Sequence, residues 1–177
     1  ATMTPTMLLA AVGLLATTAL GQARHDNVLL ILGDDLGVDR ITSFAAAIAG
    51  TAPAPTPGID AMGTVGVRYT RAYSQCVCSP TRAAVLTGRL AFRTGIGTGV
   101  PWNNCETDEN GCYQLEHEGL VTLPQALADT HHTAAFGKWH LSSVEDGAGY
   151  QHPIDVGFDE FSGAKQNLPG MGALGYY

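Results

Sequence analysis

From Asn27 to Leu32 (NVLLIL) apolar residues follow one another without alternation, and the run stops at Gly33-Asp34-Asp35. That pattern predicts a parallel strand buried on both faces. The Pro-rich stretch TAPAPTP at 51 to 57 is expected to be an extended surface loop. Thr56 and Pro57 match an N-cap and a first helical residue, so a short helix through Ile59 and Met62 is predicted. Val67 to Ala72 (VRYTRA) alternates as a strand does and would complete a βαβ beginning. A further helix is expected after Cys78, with Pro80 in its first turn, Ala83, Ala84, Val85 and Leu86 packing, and Gly88 ending it. Thr122 and Gln125 have capping-box spacing ahead of Leu123, Ala126 and Leu127, a helix that should run to Asp129. Thr133 to Phe136 predicts another strand, followed by Gly137-Lys138-Trp139-His140. Alternating strands and helices of this kind give an α/β fold class, a mixed and mostly parallel sheet with flanking helices.

In open α/β sheets ligands gather beyond the carboxyl ends of the strands. Two polar clusters, Asp34-Asp35 and Lys138 with His140, follow such ends and are expected to share one rim. Adjacent carboxylates repel unless a cation or proton intervenes, and an oxygen-only set suits Ca²⁺, or Mg²⁺, better than zinc. The plain alternative is a solvated Asp-Asp turn with one carboxylate capping the next segment. Cys78 stands just before a predicted helix, with Arg82 one turn on. Dipole and guanidinium together favour an anion there, whether a thiolate or a bound oxyanion. A buried structural cysteine, or a Cys76–Cys78 metal or redox pair, is the competing reading. Lys138 and His140 could equally be an exposed strand-end pair, while Trp139 between them should face the other way and pack. His131 and His132 are read as a helix-end pair favoured by the macrodipole.

Composition narrows the partners. The 177 residues support one globular unit, with 45% hydrophobic and 14% charged residues and a net charge of −7. Nine basic residues, scattered along the chain, form no stripe for nucleic acid. Met7 to Leu20 is too short to span a bilayer and resembles a secretory h-region, so residues 1–23 are expected to be a signal peptide and the protein to be exported. No stable membrane span is expected. Cys105 and Cys112 enclose a polar loop that a disulfide could close, which agrees with an oxidising compartment. Gln166 to Tyr177 is Gly-rich without a helix or strand pattern and reads as a truncation or loose tail.

Several separated motifs resemble one family. CSPTRAAVLTGR at 78 to 89 resembles the first signature of the formylglycine-dependent sulfatases, whose CxPxR core directs conversion of the cysteine. NVLLILGDDLG at 27 to 37 is similar to the family's metal-binding strand, TPGIDAMGTVGVRYTRAY at 56 to 73 to its next helix and strand, and GKWHL at 137 to 141 to its second signature. GFDEFSG at 157 to 163 continues the family's order. The resemblance implies an alkaline phosphatase-like fold and hydrolysis of a sulfate ester, either a small molecule or a carbohydrate. It implies catalytic roles for Cys78, Arg82, Lys138 and His140 and a metal, calcium before magnesium, held by Asp34, Asp35 and the modified Cys78. A formylglycine-generating enzyme would be the maturation partner.

The resemblance also implies further metal ligands, another His and another Lys from later sequence, so residues 24–177 read as the N-terminal part of a catalytic domain. An exposed sheet edge and apolar face are then expected. Thr130-His131-His132 stands where the family usually has a Gly-Tyr turn, and Val85 replaces a larger residue. A phosphonate or phosphodiester hydrolase of the same superfamily, a non-catalytic sulfatase-like fragment and a thiol redox protein are the alternatives.

Overall fold

Two parallel strands, β1 (Ala134–Lys138) and β2 (Glu160–Ala164), form the sheet of the computed structural model. The structure describes residues 26–45, 48, 50, 52–101, 114–115, 119–143 and 148–167. The apolar stretch 7–20, Cys105, Cys112 and positions 168–177 of the tail lie outside the described residues. Ala134 pairs with Glu160 and Lys138 with Ala164. The ladder carries on past β1, since Trp139 N–H donates to the Ala164 carbonyl at 2.8 Å and His140 N–H to that of Lys165 at 2.8 Å. Gly137 lies opposite Gly163 and has φ of 91°. A Cβ on Gly163 would overlap the Gly137 backbone, so the register needs glycine there.

Helices α1 (Thr42–Ala45), α2 (Pro57–Val65), α3 (Cys78–Thr87), α4 (Ala91–Thr94) and α5 (Leu123–Leu127) precede β1, and α6 (Ala148–Asp155) crosses from β1 to β2. The α/β class expected from the sequence is the one observed. Thr56 and Pro57 open α2 as expected, although the Thr56 hydroxyl is engaged by Thr42 N–H at 3.0 Å and by Asp60 at 3.3 Å rather than capping its own helix. Helix α3 begins at Cys78 itself and ends on Gly88, which takes φ of 65° and sends its N–H to the Ala84 carbonyl at 2.8 Å. The capping box of α5 is complete: Thr122 N–H donates to Gln125 Oε1 at 3.0 Å, and the Thr122 hydroxyl accepts from Gln125 N–H. The core gathers Ala83, Ile96, Val100, Leu115, Trp139, Leu141 and Val156 beneath these elements.

Two expected strands are absent. Residues 27–32 and 67–72 take no ladder hydrogen bonds, and Leu29, Ile31 and Val67 are 84%, 74% and 81% exposed. The apolar run is right for a strand covered on both faces, but a strand exists only through its neighbours, and among the described residues none pairs with it. The segment instead borders an apolar groove of about 370 Å³ together with Leu123, Leu127 and Phe136. The described residues thus leave this apolar run exposed.

Candidate active site

The two polar clusters meet. Segment 27–32 ends beside the carboxyl end of β1, where Asp34 Oδ2 lies 2.6 Å from Lys138 Nζ and 3.3 Å from Arg82 Nη2. Arg82 projects from the first turns of α3, and its Nη1 donates to the Lys138 carbonyl. One guanidinium therefore ties together α3, the end of β1 and the Gly33-Asp34 turn. Hydrogen bonding from Lys138 is the main reason the Asp34 carboxyl is held below its ordinary value, with the charges of Lys138 and Arg82 adding to it and burial opposing. The buried Nε of Arg82 has no hydrogen-bond partner among the described residues.

Cys78 and His140 form the second half. Cys78 Sγ stands 3.2 Å from His140 Nδ1, and His140 Nε2 lies 3.0 Å from the Val100 carbonyl. A carbonyl only accepts, so Nε2 carries the imidazole proton and Nδ1 is left to accept from the thiol. Burial, then the charges of Lys138 and Arg82, push the His140 pKa down, which keeps the ring neutral. His140 takes φ of 57°, as does Asp35, so both sit in the left-handed region that non-glycine residues rarely adopt. The Ser79 hydroxyl accepts from Val100 N–H at 3.0 Å and so aligns the carbonyl that orients His140.

Trp139 packs away from the site, as alternation requires. Its indole N–H donates to His152 Nδ1 at 2.9 Å, and His152 Nε2 reaches the Leu115 carbonyl at 3.0 Å. His152 is 3% exposed. Its role, like those of Ser79 and Val100, was not foreseen: a single His and two ordinary residues give no motif, and only the folded distances bring them in. His131 and His132 follow the end of α5, where His131 N–H donates to the Leu127 carbonyl at 2.9 Å. His132 binds Glu160 Oε1 at 2.9 Å and lies 3.5 Å from Asp159 Oδ2, while His131 Nε2 meets the Asp26 carbonyl at 3.0 Å. Two carboxylates opposite His132 outweigh the partial charge of a five-residue helix.

Asp34, Asp35, Cys78 and Arg82 line one cavity of about 340 Å³. Among the described residues no group of three or more His, Cys, Asp or Glu is placed to hold an ion, and the one carboxylate oxygen nearest the site is already shared by two cations. Ca²⁺ and Mg²⁺ take six or more oxygens. Asp34 and Asp35 are two oxygen donors bordering one cavity, and both cations engage Asp34.

Comparison with known proteins agrees with the sequence motifs. The family model described as Sulfatase matches residues 26–172. Arylsulfatase A of Bos taurus is 34% identical over 157 residues, covering 84% of this chain and 29% of that protein. N-acetylgalactosamine-6-sulfatase of Mus musculus is 34% identical over 164 residues, covering 89% of this chain and 28% of that protein. The crystal structure of PsFucS1 sulfatase from Pseudoalteromonas sp. superposes with a TM-score of 0.63 at 34% identity, over 94% of this chain and 31% of that one. Ps i-CgsB in complex with k-i-k-neocarrahexaose superposes with a TM-score of 0.58 at 27% identity, over 73% and 26%. The chain spans less than a third of the length of each of these relatives.

Proposed function

The chain belongs to the sulfatase family, and on that premise we propose that it carries the nucleophile and part of the anion site of an exported sulfuric ester hydrolase. The observation that carries this reading is the 3.2 Å approach of Cys78 Sγ to His140 Nδ1, beside the Lys138 and Arg82 cations. Converted to formylglycine by a maturation enzyme, Cys78 would offer one hydroxyl of its aldehyde hydrate to the ester sulfur and keep a second for release of sulfate.

The rest is work for residues in view. His140 holds its proton on Nε2, so Nδ1 is the acceptor for a hydroxyl proton at position 78, and its lowered pKa keeps that lone pair open near neutrality. Lys138 and Arg82 supply two positive charges, 11% and 13% exposed, to offset the charge of a sulfuryl group. Their low exposure weakens solvent screening and strengthens that attraction. Helix α3 presents its N-terminal turn to the same place, with Cys78 as its first residue. Asp34 and Asp35 would be two of the oxygen ligands of a divalent ion, which would polarise the oxygens of a bound sulfate group.

Residues 24–177 on this reading are the N-terminal part of a catalytic domain, and residues 1–23 its export signal. The exposed run 27–32 and its groove support the first point, since a sheet of the family's kind would cover them. Sulfate esters of carbohydrates or small molecules are the substrate class, by analogy with the relatives named above. Mass spectrometry of the tryptic peptide Ala72–Arg82, from protein made alongside a formylglycine-generating enzyme, tests the nucleophile: exchange of sulfur and two hydrogens for oxygen is expected, and an unmodified thiol there contradicts the reading.

A further inference from the structure

We propose that His152 is a positioning residue for His140: it closes a hydrogen-bonded circuit through Trp139, Leu115 and Leu141 that holds His140 in its left-handed backbone conformation and so presents Nδ1 to position 78. This rests on the reading of His140 as the proton acceptor for the nucleophile there. The Trp139 indole N–H donates to His152 Nδ1 at 2.9 Å, and His152 Nε2 lies 3.0 Å from the Leu115 carbonyl. Leu115 N–H in turn donates to the Leu141 carbonyl at 2.9 Å. The chain itself joins Leu141 to Trp139 through His140, so the circuit closes around that one residue. An indole N–H only donates and a carbonyl only accepts, so His152 is neutral with its proton on Nε2.

All four members of the circuit are buried. Phe158 and Phe161 meet the Trp139 ring edge-on at 6.1 and 6.0 Å, and Gln114 and Ser142 extend the Leu115–Leu141 pairing by an antiparallel bridge. Between these anchored neighbours His140 takes φ of 57°. A non-glycine residue stays in that region only where its surroundings over-determine it. His140 N–H donates to the Lys165 carbonyl at 2.8 Å and fixes one side of the residue, while the circuit fixes the other. Displacing the ring by about 1 Å would forfeit the 3.2 Å approach of Nδ1 to Cys78 Sγ. Lys138 and Arg82 lie outside the circuit, so its loss should slow the chemistry and leave sulfate-ester binding nearly as it was.

The test uses the protein at its natural length. His152→Phe keeps a ring and removes both hydrogen bonds, whereas His152→Gln keeps one acceptor and one donor. With an aryl sulfate and the formylglycine form, His152→Phe should lower kcat about ten- to a hundredfold with KM within about twofold, and His152→Gln should recover most of the loss. An unchanged kcat, a loss confined to KM, or no recovery in His152→Gln overturns the proposal. The second readout is the ring ¹⁵N spectrum of His140 in the unmodified thiol form, at about pH 8, where an ordinary histidine is neutral. Wild type and His152→Gln should show the proton on Nε2 alone, and His152→Phe a mixture of both tautomers; a His140 spectrum unmoved in folded His152→Phe overturns the proposal. Trp139→Phe opens the same circuit at another corner and is read by the same criteria where His152→Phe does not fold. The spectrum needs neither turnover nor formylglycine, so failure here and failure of the sulfatase reading are told apart.

Discussion

The Lys138 ammonium lies 2.6 Å from the Asp34 carboxylate, joining the turn after one apolar run to the end of a strand far along the chain. That contact closes the rim of the site. Lys138→Met should therefore do two things: remove most of the anion affinity, and cost about 1–2 kcal/mol of stability, between the values typical of surface and of buried pairs. Urea denaturation with parallel sulfate titration checks both; unchanged sulfate affinity would remove Lys138 from the site.

His140 and His132 should make opposite contributions to the pH dependence of stability. Burial, followed by the Lys138 and Arg82 charges, lowers the His140 pKa from the ordinary 6.5. The unfolded chain then takes up the proton first as pH falls, so the contribution is intact above about 6.5 and is lost below it, down to the folded pKa. Hydrogen bonding to Glu160, followed by the charge of Asp159, raises the His132 pKa from 6.5. Its contribution is fully present below 6.5 and disappears as pH rises through the folded value. Denaturation midpoints across pH 5 to 8 should lose their acid-side decline in His140→Gln and their alkaline-side decline in His132→Asn.

Gly163→Ala should be among the most damaging small substitutions available. The new methyl would overlap the Gly137 backbone across the β1–β2 ladder, and the strands could not keep their register. A loss of about 2 kcal/mol or more is expected in chemical denaturation, against the few tenths typical of surface changes.

Trp139→Phe tests the support behind the site. The ring volume is largely kept, but the indole donor is lost, leaving the buried His152 Nδ1 without the hydrogen bond that Trp139 makes to it. A cost of about 1 kcal/mol is expected for losing one buried hydrogen bond. An unchanged denaturation midpoint would show that the hydrogen bond contributes nothing to holding the Lys138-to-His140 segment.

Local signals in the sequence translated directly wherever the chain supplies its own partners. Thr122 with Gln125, Pro57 after Thr56, and Gly88 at the end of α3 act within a turn or two, and each is found as expected. The apolar run at 27–32 and the alternation at 67–72 failed as strands because a strand depends on neighbours that no local pattern specifies. The site divides the same way. Motifs marked Cys78, Arg82, Lys138 and His140, and the fold brings them together. What they could not convey is which oxygen pairs with which cation: Asp34 Oδ2 meets both Lys138 and Arg82. His152 and the Val100 carbonyl were illegible because their roles come from contacts across the core.

The central claim is that the side chain at position 78, remade as formylglycine, cleaves sulfate esters. Its most direct test is inorganic sulfate released from an aryl sulfate by the protein at its natural length, coexpressed with a formylglycine-generating enzyme, as wild type and as Cys78→Ala. The account predicts sulfate release by wild type and none above background by the variant; turnover that survives the substitution would contradict it.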